Sequence, residues 1–209
     1  MRSDQLQIEG EFRRNDGVAV IDNFLTEEAI CQLRSFCQSS TVWFANRYGH
    51  GRLGAFLRSG FNTPILWQIA KEVREILGGV LAEQHLKQVW AFKYDERQPR
   101  TSPHADFAAI NVNLWITPEA ANMDRAEGGL TIYRARAPEG WTFDQYNRQG
   151  AMISGWLERR AAESIDIPYR ENRAVIFDSS LFHVTQPVRF RGGYANRRVN
   201  VTWLFGSRS

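Results

Sequence analysis

The sequence predicts a single, mainly β domain with flanking helices, its strands wound as a jelly roll and its helices gathered at the N-terminal side. Up to about residue 80 the apolar residues recur at helical spacing, whereas from Val89 onward they fall into short runs separated by turn signals. At 209 residues, 43% hydrophobic and 12% aromatic, the chain is long enough for one well-buried core. No internal repeat, low-complexity tract or linker divides it.

The supporting part, about 12–80, opens with the apolar strand Val18-Ala19-Val20-Ile21. A helix follows. Thr26 suits its N-cap, Glu27 and Glu28 sit in the first turn where the helix dipole favours acids, and Ala29, Ile30, Leu33, Phe36 and Cys37 make one apolar stripe. A second helix from about Thr63 to Leu77 turns Ile65, Leu66, Ile69 and Val73 inward and stops at Gly78-Gly79. Between them Trp43 to Gly54, rich in glycine, arginine and aromatics, reads as a loop overhanging a site entrance, with His50 facing substrate or solvent. The core spans about 88–206. Within it an insertion at about 139–160, carrying Trp141, Phe143, Tyr146, Met152, Trp156 and Leu157, either shapes access to the barrel mouth or covers barrel surface. His85 ends a helical segment and is expected at the surface.

Charge says little about partners. Lys and Arg number 26 against 23 Asp and Glu, a net +3, which falls short of the basic stripe that nucleic-acid binding asks for. No apolar run is long enough to span a membrane, and the polar start Met1-Arg2-Ser3-Asp4-Gln5 lacks a signal-peptide core, so a cytoplasmic location is expected. Cys31 and Cys37, on different faces of a helix, are expected to be free, reduced and buried.

The chemistry starts at His104-Ala105-Asp106. In a strand, alternate side chains share a face, so His104 and Asp106 can point at one metal while Ala105 points away. A distant His183 follows the apolar strand Ala174-Val175-Ile176-Phe177. Two imidazoles and one carboxylate, leaving open positions opposite, is the ligand set of non-haem Fe(II) oxygenases. Taken singly, His104 is equally a strand-end histidine after Pro103, and His183 a buried aromatic neighbour.

Several landmarks in order strengthen the set: Trp90-Ala91-Phe92-Lys93-Tyr94, the His-x-Asp, Asn111 to Ile116, Glu127-Gly128-Gly129-Leu130, His183 to Val188, and an arginine-rich strand ending at Trp203. From about Trp90 to Phe205 the chain resembles the double-stranded β-helix, cupin-like core of the 2-oxoglutarate- and Fe(II)-dependent dioxygenases, in the layout of the prolyl-hydroxylase-like branch. The resemblance implies Fe(II) held by His104, Asp106 and His183, with 2-oxoglutarate as cosubstrate and O₂. It implies oxidative decarboxylation to succinate and CO₂, coupled to hydroxylation of an unactivated C–H. Related halogenases leave the carboxylate position empty for chloride, so Asp106 argues for hydroxylation or a reaction following from it, such as demethylation.

The cosubstrate's distal carboxylate calls for a guanidinium fork, which Arg197 or Arg198 can supply. Arg197 and Trp203 reproduce the family's even step along one face, which favours Arg197. The run Phe190-Arg191-Gly192-Gly193-Tyr194 lengthens the gap after His183 and leaves Arg198, with the following Asn200, as the alternative. Asn111, Asn113 and Trp115 share the face that the resemblance makes the pocket; each asparagine bonds a ligand group or pairs with its neighbours. Tyr94 and Thr185 are further cosubstrate candidates, while Trp90 and Phe92 are expected to pack in the core. The substrate, a protein or peptide side chain or a small molecule, is left open. So is the alternative of a non-catalytic metal-binding jelly roll, a sensor or carbohydrate-binding module, which has no need of the arginine. A cupin metalloenzyme without 2-oxoglutarate would draw on more histidines than the four present.

Overall fold

The computed structural model describes residues 2–48, 51–81 and 84–208. In chain order the elements are α1 (Arg2–Arg14), β1 (Val18–Ile21), α2 (Glu27–Ser39), β2 (Ala45–Tyr48), β3 (Arg52–Phe56), α3 (Pro64–Ile76), α4 (Gly78–Leu81), β4 (Leu86–Lys93) and β5 (Arg97–Gln98). They continue as β6 (Ile110–Trp115), β7 (Leu130–Arg136), α5 (Phe143–Asn147), α6 (Gly150–Arg159), β8 (Ser164–Ile167), β9 (Ala174–Asp178), β10 (Leu181–Thr185), β11 (Val188–Arg189) and β12 (Val199–Phe205).

A seven-stranded antiparallel sheet, ordered β1-β9-β6-β12-β4-β3-β2, faces a three-stranded sheet, β10-β7-β8. The stretch from Thr101 to His104 runs beside β10 and widens the smaller sheet: His104 and His183 exchange backbone bonds of 3.1 and 2.9 Å, and Thr101 N–H donates to the Thr185 carbonyl at 3.1 Å. This is the predicted jelly roll.

The helices cover the outer face of the larger sheet. Thr26 caps α2 as expected, its Oγ1 accepting from the Ala29 N–H at 3.2 Å. Ile30, Leu33 and Cys37 of α2 and Leu66, Ile69 and Val73 of α3 pack on Val112, Leu114, Val201 and Trp203. Trp203 is fully buried, and its indole N–H donates to the Leu66 carbonyl at 3.0 Å, tying α3 to the central strand. Between the sheets lies a second cluster, in which Val175, Phe177 and Trp115 meet Leu130, Ile132, Ile167 and Leu181. The insertion forms α5 and α6, whose Tyr146, Ile153 and Leu157 cover Phe182 on the outside of the smaller sheet.

Several expectations change. Trp43–Gly54 is not simply a loop: β2 and β3 extend the larger sheet, with Gly54 opposite Phe92 and Phe56 opposite Trp90, because Gly54-Ala55-Phe56 can alternate beside β4. Gly49 and His50 lie outside the described residues. The second helix ends just before Gly78-Gly79 as expected, but the glycines open a further short helix, α4. Cys37 is buried, but Cys31 faces solvent, the opposite side of α2. His85 is exposed, as expected, with Nδ1 at 3.2 Å from Arg74. The polar helix α1 escaped the sequence reading, although Ile8 and Phe12, four apart, seat it on the core. Among the described residues no helix is long and apolar enough to cross a membrane.

Candidate metal centre

The pairing of His104 with His183 sets their rings side by side, centroids 4.4 Å apart. In each ring Nδ1 lies 3.0 Å from a backbone carbonyl two residues earlier, Ser102 for His104 and Leu181 for His183. A carbonyl only accepts, so Nδ1 carries the proton and the Nε2 lone pair is left for a metal. Asp106 is held by its backbone N–H on the Ser179 carbonyl at 2.9 Å, and its Oδ2 accepts from Asn111 Nδ2 at 2.8 Å. Oδ2 also stands 3.6 Å from His183 Nε2. One candidate ligand atom from each of the three residues lies within 4.8 Å of the others.

The electrostatics of the cluster suit a cation. Burial pushes the Asp106 carboxyl above its ordinary range, against the opposing pull of His104 and Asn111. Burial, and then His104, hold His183 down at about 3, so its imidazole is neutral and able to ligate at neutral pH. Ala105, between the ligand candidates, is gripped by the insertion. Its N–H donates to the Tyr146 carbonyl, and its own carbonyl accepts from Asn147 Nδ2, each at 2.8 Å. Sequence reading missed this brace, which joins segments some forty residues apart and leaves no local signal.

Arginine placement reverses the expected preference. Arg197 follows the turn Tyr194–Asn196 and pairs with Asp95 at 2.9 Å, its side chain about one-third exposed. Val199, Val201 and Trp203 share one face, as strand alternation predicts, but they look toward the helices, so the face opposite, that of Arg198, Asn200 and Thr202, meets the interior. Arg198 is 1% exposed. Its Nε donates to the Gly128 carbonyl at 2.6 Å and Nη1 to Asn200 Oδ1 at 3.1 Å, and the guanidinium lies 4.6 Å from the Tyr94 ring centre. Among the described residues no carboxylate pairs with it. Burial lowers its pKa, while Tyr94 and Tyr169 offset part of that.

Tyr94 and Thr185 stand together here, hydroxyls 3.3 Å apart. Burial alone would raise the Tyr94 phenol, yet Arg198 and Arg52 beside it, with the Thr185 bond, bring it below its ordinary value. Asn111, Asn113 and Trp115 share the interior face. Asn113 Nδ2 donates to Thr202 Oγ1 at 3.0 Å, and Trp115 stacks on Tyr169 with centroids 5.4 Å apart. Asn111 Oδ1, Asn113 Oδ1 and Trp115 Nε1 are buried without a partner. Gly129 is required nearby: a Cβ there would come within 1.9 Å of the Ile167 carbonyl. The interior face thus carries three ligand candidates, a lone guanidinium, and unspent polar atoms.

No family model matches the chain, and no curated protein does. Solved structures do. The non-haem α-ketoglutarate-dependent epimerase SnoN from nogalamycin biosynthesis superposes with a TM-score of 0.64 at 11% identity, over 99% of this chain and 84% of that one. A Pseudomonas putida prolyl-4-hydroxylase gives 0.60 at 12% identity, over 98% and 99%. HygX from Streptomyces hygroscopicus, solved with nickel, 2-oxoglutarate and hygromycin B, gives 0.62 at 10% identity, over 95% and 85%. The chain has the double-stranded β-helix, cupin-like fold of these oxygenases.

Proposed function

We propose that the protein is an Fe(II)- and 2-oxoglutarate-dependent oxygenase that hydroxylates an unactivated C–H of a small molecule or a protein side chain. The observation that carries this reading is Arg198, a fully buried guanidinium with no carboxylate partner among the described residues, on the interior side that also holds the His104–Asp106–His183 cluster. A buried unpaired charge is expensive, and an anionic ligand would relieve it. SnoN in complex with Fe³⁺ and α-ketoglutarate, and HygX with nickel and 2-oxoglutarate, are folds of the same kind.

In this reading His104, Asp106 and His183 hold the metal, with Asn111 steadying the carboxylate and the Ser102 and Leu181 carbonyls fixing the imidazoles. Arg198 holds the distal carboxylate of 2-oxoglutarate, flanked by the hydroxyls of Tyr94 and Thr185, and Trp115 adds an indole N–H donor alongside, while Asn113 stays tied to Thr202. Arg197 stays outside on Asp95. Bound there, Fe(II), 2-oxoglutarate and O₂ supply an oxidation that yields succinate and CO₂ and can hydroxylate a C–H. The chain orders the ligands and excludes water.

Purified protein given Fe(II), ascorbate and 2-oxoglutarate should release succinate, increased by a true substrate and abolished in His183→Ala. Metal uptake without succinate release under any substrate would sink the oxygenase reading and favour a non-catalytic metal-binding module.

A further inference from the structure

Past β12, the interior face of the larger sheet carries a row of aromatic rings, of which Phe92 alone packs against the core between the sheets. Trp90 and Phe92 project from β4 on the side opposite Val89 and Ala91, and Phe56 on β3 stands directly across from Trp90. Phe107, next in sequence to Asp106, closes the row with its ring 6.1 Å from Trp90, and it is 36% exposed. From Trp90 the next ring is Phe92 at 6.2 Å, and the Arg52 guanidinium lies 5.0 Å beyond, over the Phe92 face. Phe56 packs edge-on against both, at 6.1 and 6.0 Å. Among the described residues Phe56, Trp90 and Phe107 join none of the three packed apolar clusters.

We propose that this row is the prime-substrate subsite and that it takes a small planar molecule, an apolar ring bearing a carboxylate or similar anion. The assignment rests on the oxygenase reading above only for what happens to the molecule once bound. Partly exposed rings offer apolar surface to a flat partner, which can meet them face-on or edge-on, and burying that surface is favourable at about 25 cal/mol per Å². The cation stands at one end of the row and the ligand residue Asp106 at the other. The two guanidiniums near Tyr94 divide the work: Arg198 is deep and serves the cosubstrate, while Arg52, half-buried on β3, serves the anion of the substrate. The substrate carbon that reacts is then the one farthest from its anionic group. Three ring-sized steps from Phe107 to Arg52 accommodate a one- or two-ring acid.

Titration calorimetry with indole-3-acetate tests this, run on metal-free protein and on protein loaded with Mn(II) and 2-oxoglutarate. Indole-3-acetate should bind, with indole and acetate each at least tenfold weaker. Trp90→Ala, Phe107→Ala and Arg52→Gln should each weaken it at least tenfold; Phe107 is exposed enough to be replaced even if Trp90→Ala fails to fold. No binding of the acid up to millimolar concentration, or equal binding by all three variants, overturns the subsite. So does an Arg52→Gln protein that loses 2-oxoglutarate uptake but keeps the probe, since Arg52 then serves the cosubstrate. If Mn(II) and 2-oxoglutarate fail to bind while indole-3-acetate does, the oxygenase reading falls and the subsite stands.

Discussion

The two faces of the central strands β6 and β12 carry opposite kinds of residue. Toward the helices stand Val112, Leu114, Val201 and Trp203, fully buried and apolar; toward the smaller sheet stand the buried polar Asn111, Asn113, Asn200 and Thr202, with Arg198 just before β12, beside the apolar Trp115. Both sides are closed to water, but only the first is satisfied by its own neighbours, since unpartnered polar atoms persist on the second. One face is built for stability. The other holds unsatisfied polar groups ready for ligands, and that difference can be tested face by face.

Removing a ligand candidate should have the largest effect. His183→Ala or Asp106→Ala should lose Mn(II) uptake in calorimetry and all succinate release, while a thermal melt stays cooperative. The contrast then sharpens with two substitutions, one on β12 and one at the residue just before it. Trp203→Ala should destabilise by about 3–5 kcal/mol in denaturant titration, through the cavity it leaves and the lost bond to Leu66. Arg198→Met should leave stability level or higher, because a lone buried charge is gone, yet raise the KM for 2-oxoglutarate about 100-fold. Equal loss of stability in the two variants would erase the distinction.

Lys93 is an exception on the helix side. It is 3% exposed, its Nζ donates to the Cys37 carbonyl at 3.1 Å, and it lies 4.2 Å from the Trp43 ring centre. Burial, and then Arg197, lower its pKa to about 8 against the opposing effect of Cys37. The unfolded chain therefore holds the proton to higher pH than the fold does. Relative to Lys93→Met, the natural protein should gain stability as pH rises from about 8 to 10.5. Urea titrations at the two ends of that window measure it. The smallest effect is reserved for Asn111→Ala, which should weaken metal binding about tenfold by releasing the Asp106 carboxylate.

The convergence of His104, Asp106 and His183 is legible in the sequence because strand alternation and the jelly-roll order are both local patterns. The same alternation groups Asn111, Asn113 and Trp115 on one face, where they stand. It could not choose between Arg197 and Arg198, since the 190–196 turn decides which face of β12 looks inward, and the helices that claim Trp203 lie far away in sequence. The β2–β3 pairing is obscured for a related reason: its glycines and arginines resemble a loop until β4 supplies an edge to join. Trp90 and Phe92 read as core; Phe92 does pack against the cluster between the sheets, whereas Trp90 joins none of the packed clusters.

Ala105 hangs by both its amide and its carbonyl from the segment at 146–147, on the outer surface of the barrel. An exterior decoration is thereby part of the inner frame. Any displacement of that stretch would be carried through two hydrogen bonds to the residue between His104 and Asp106, so a change made on the outside of the smaller sheet reaches the inner cluster.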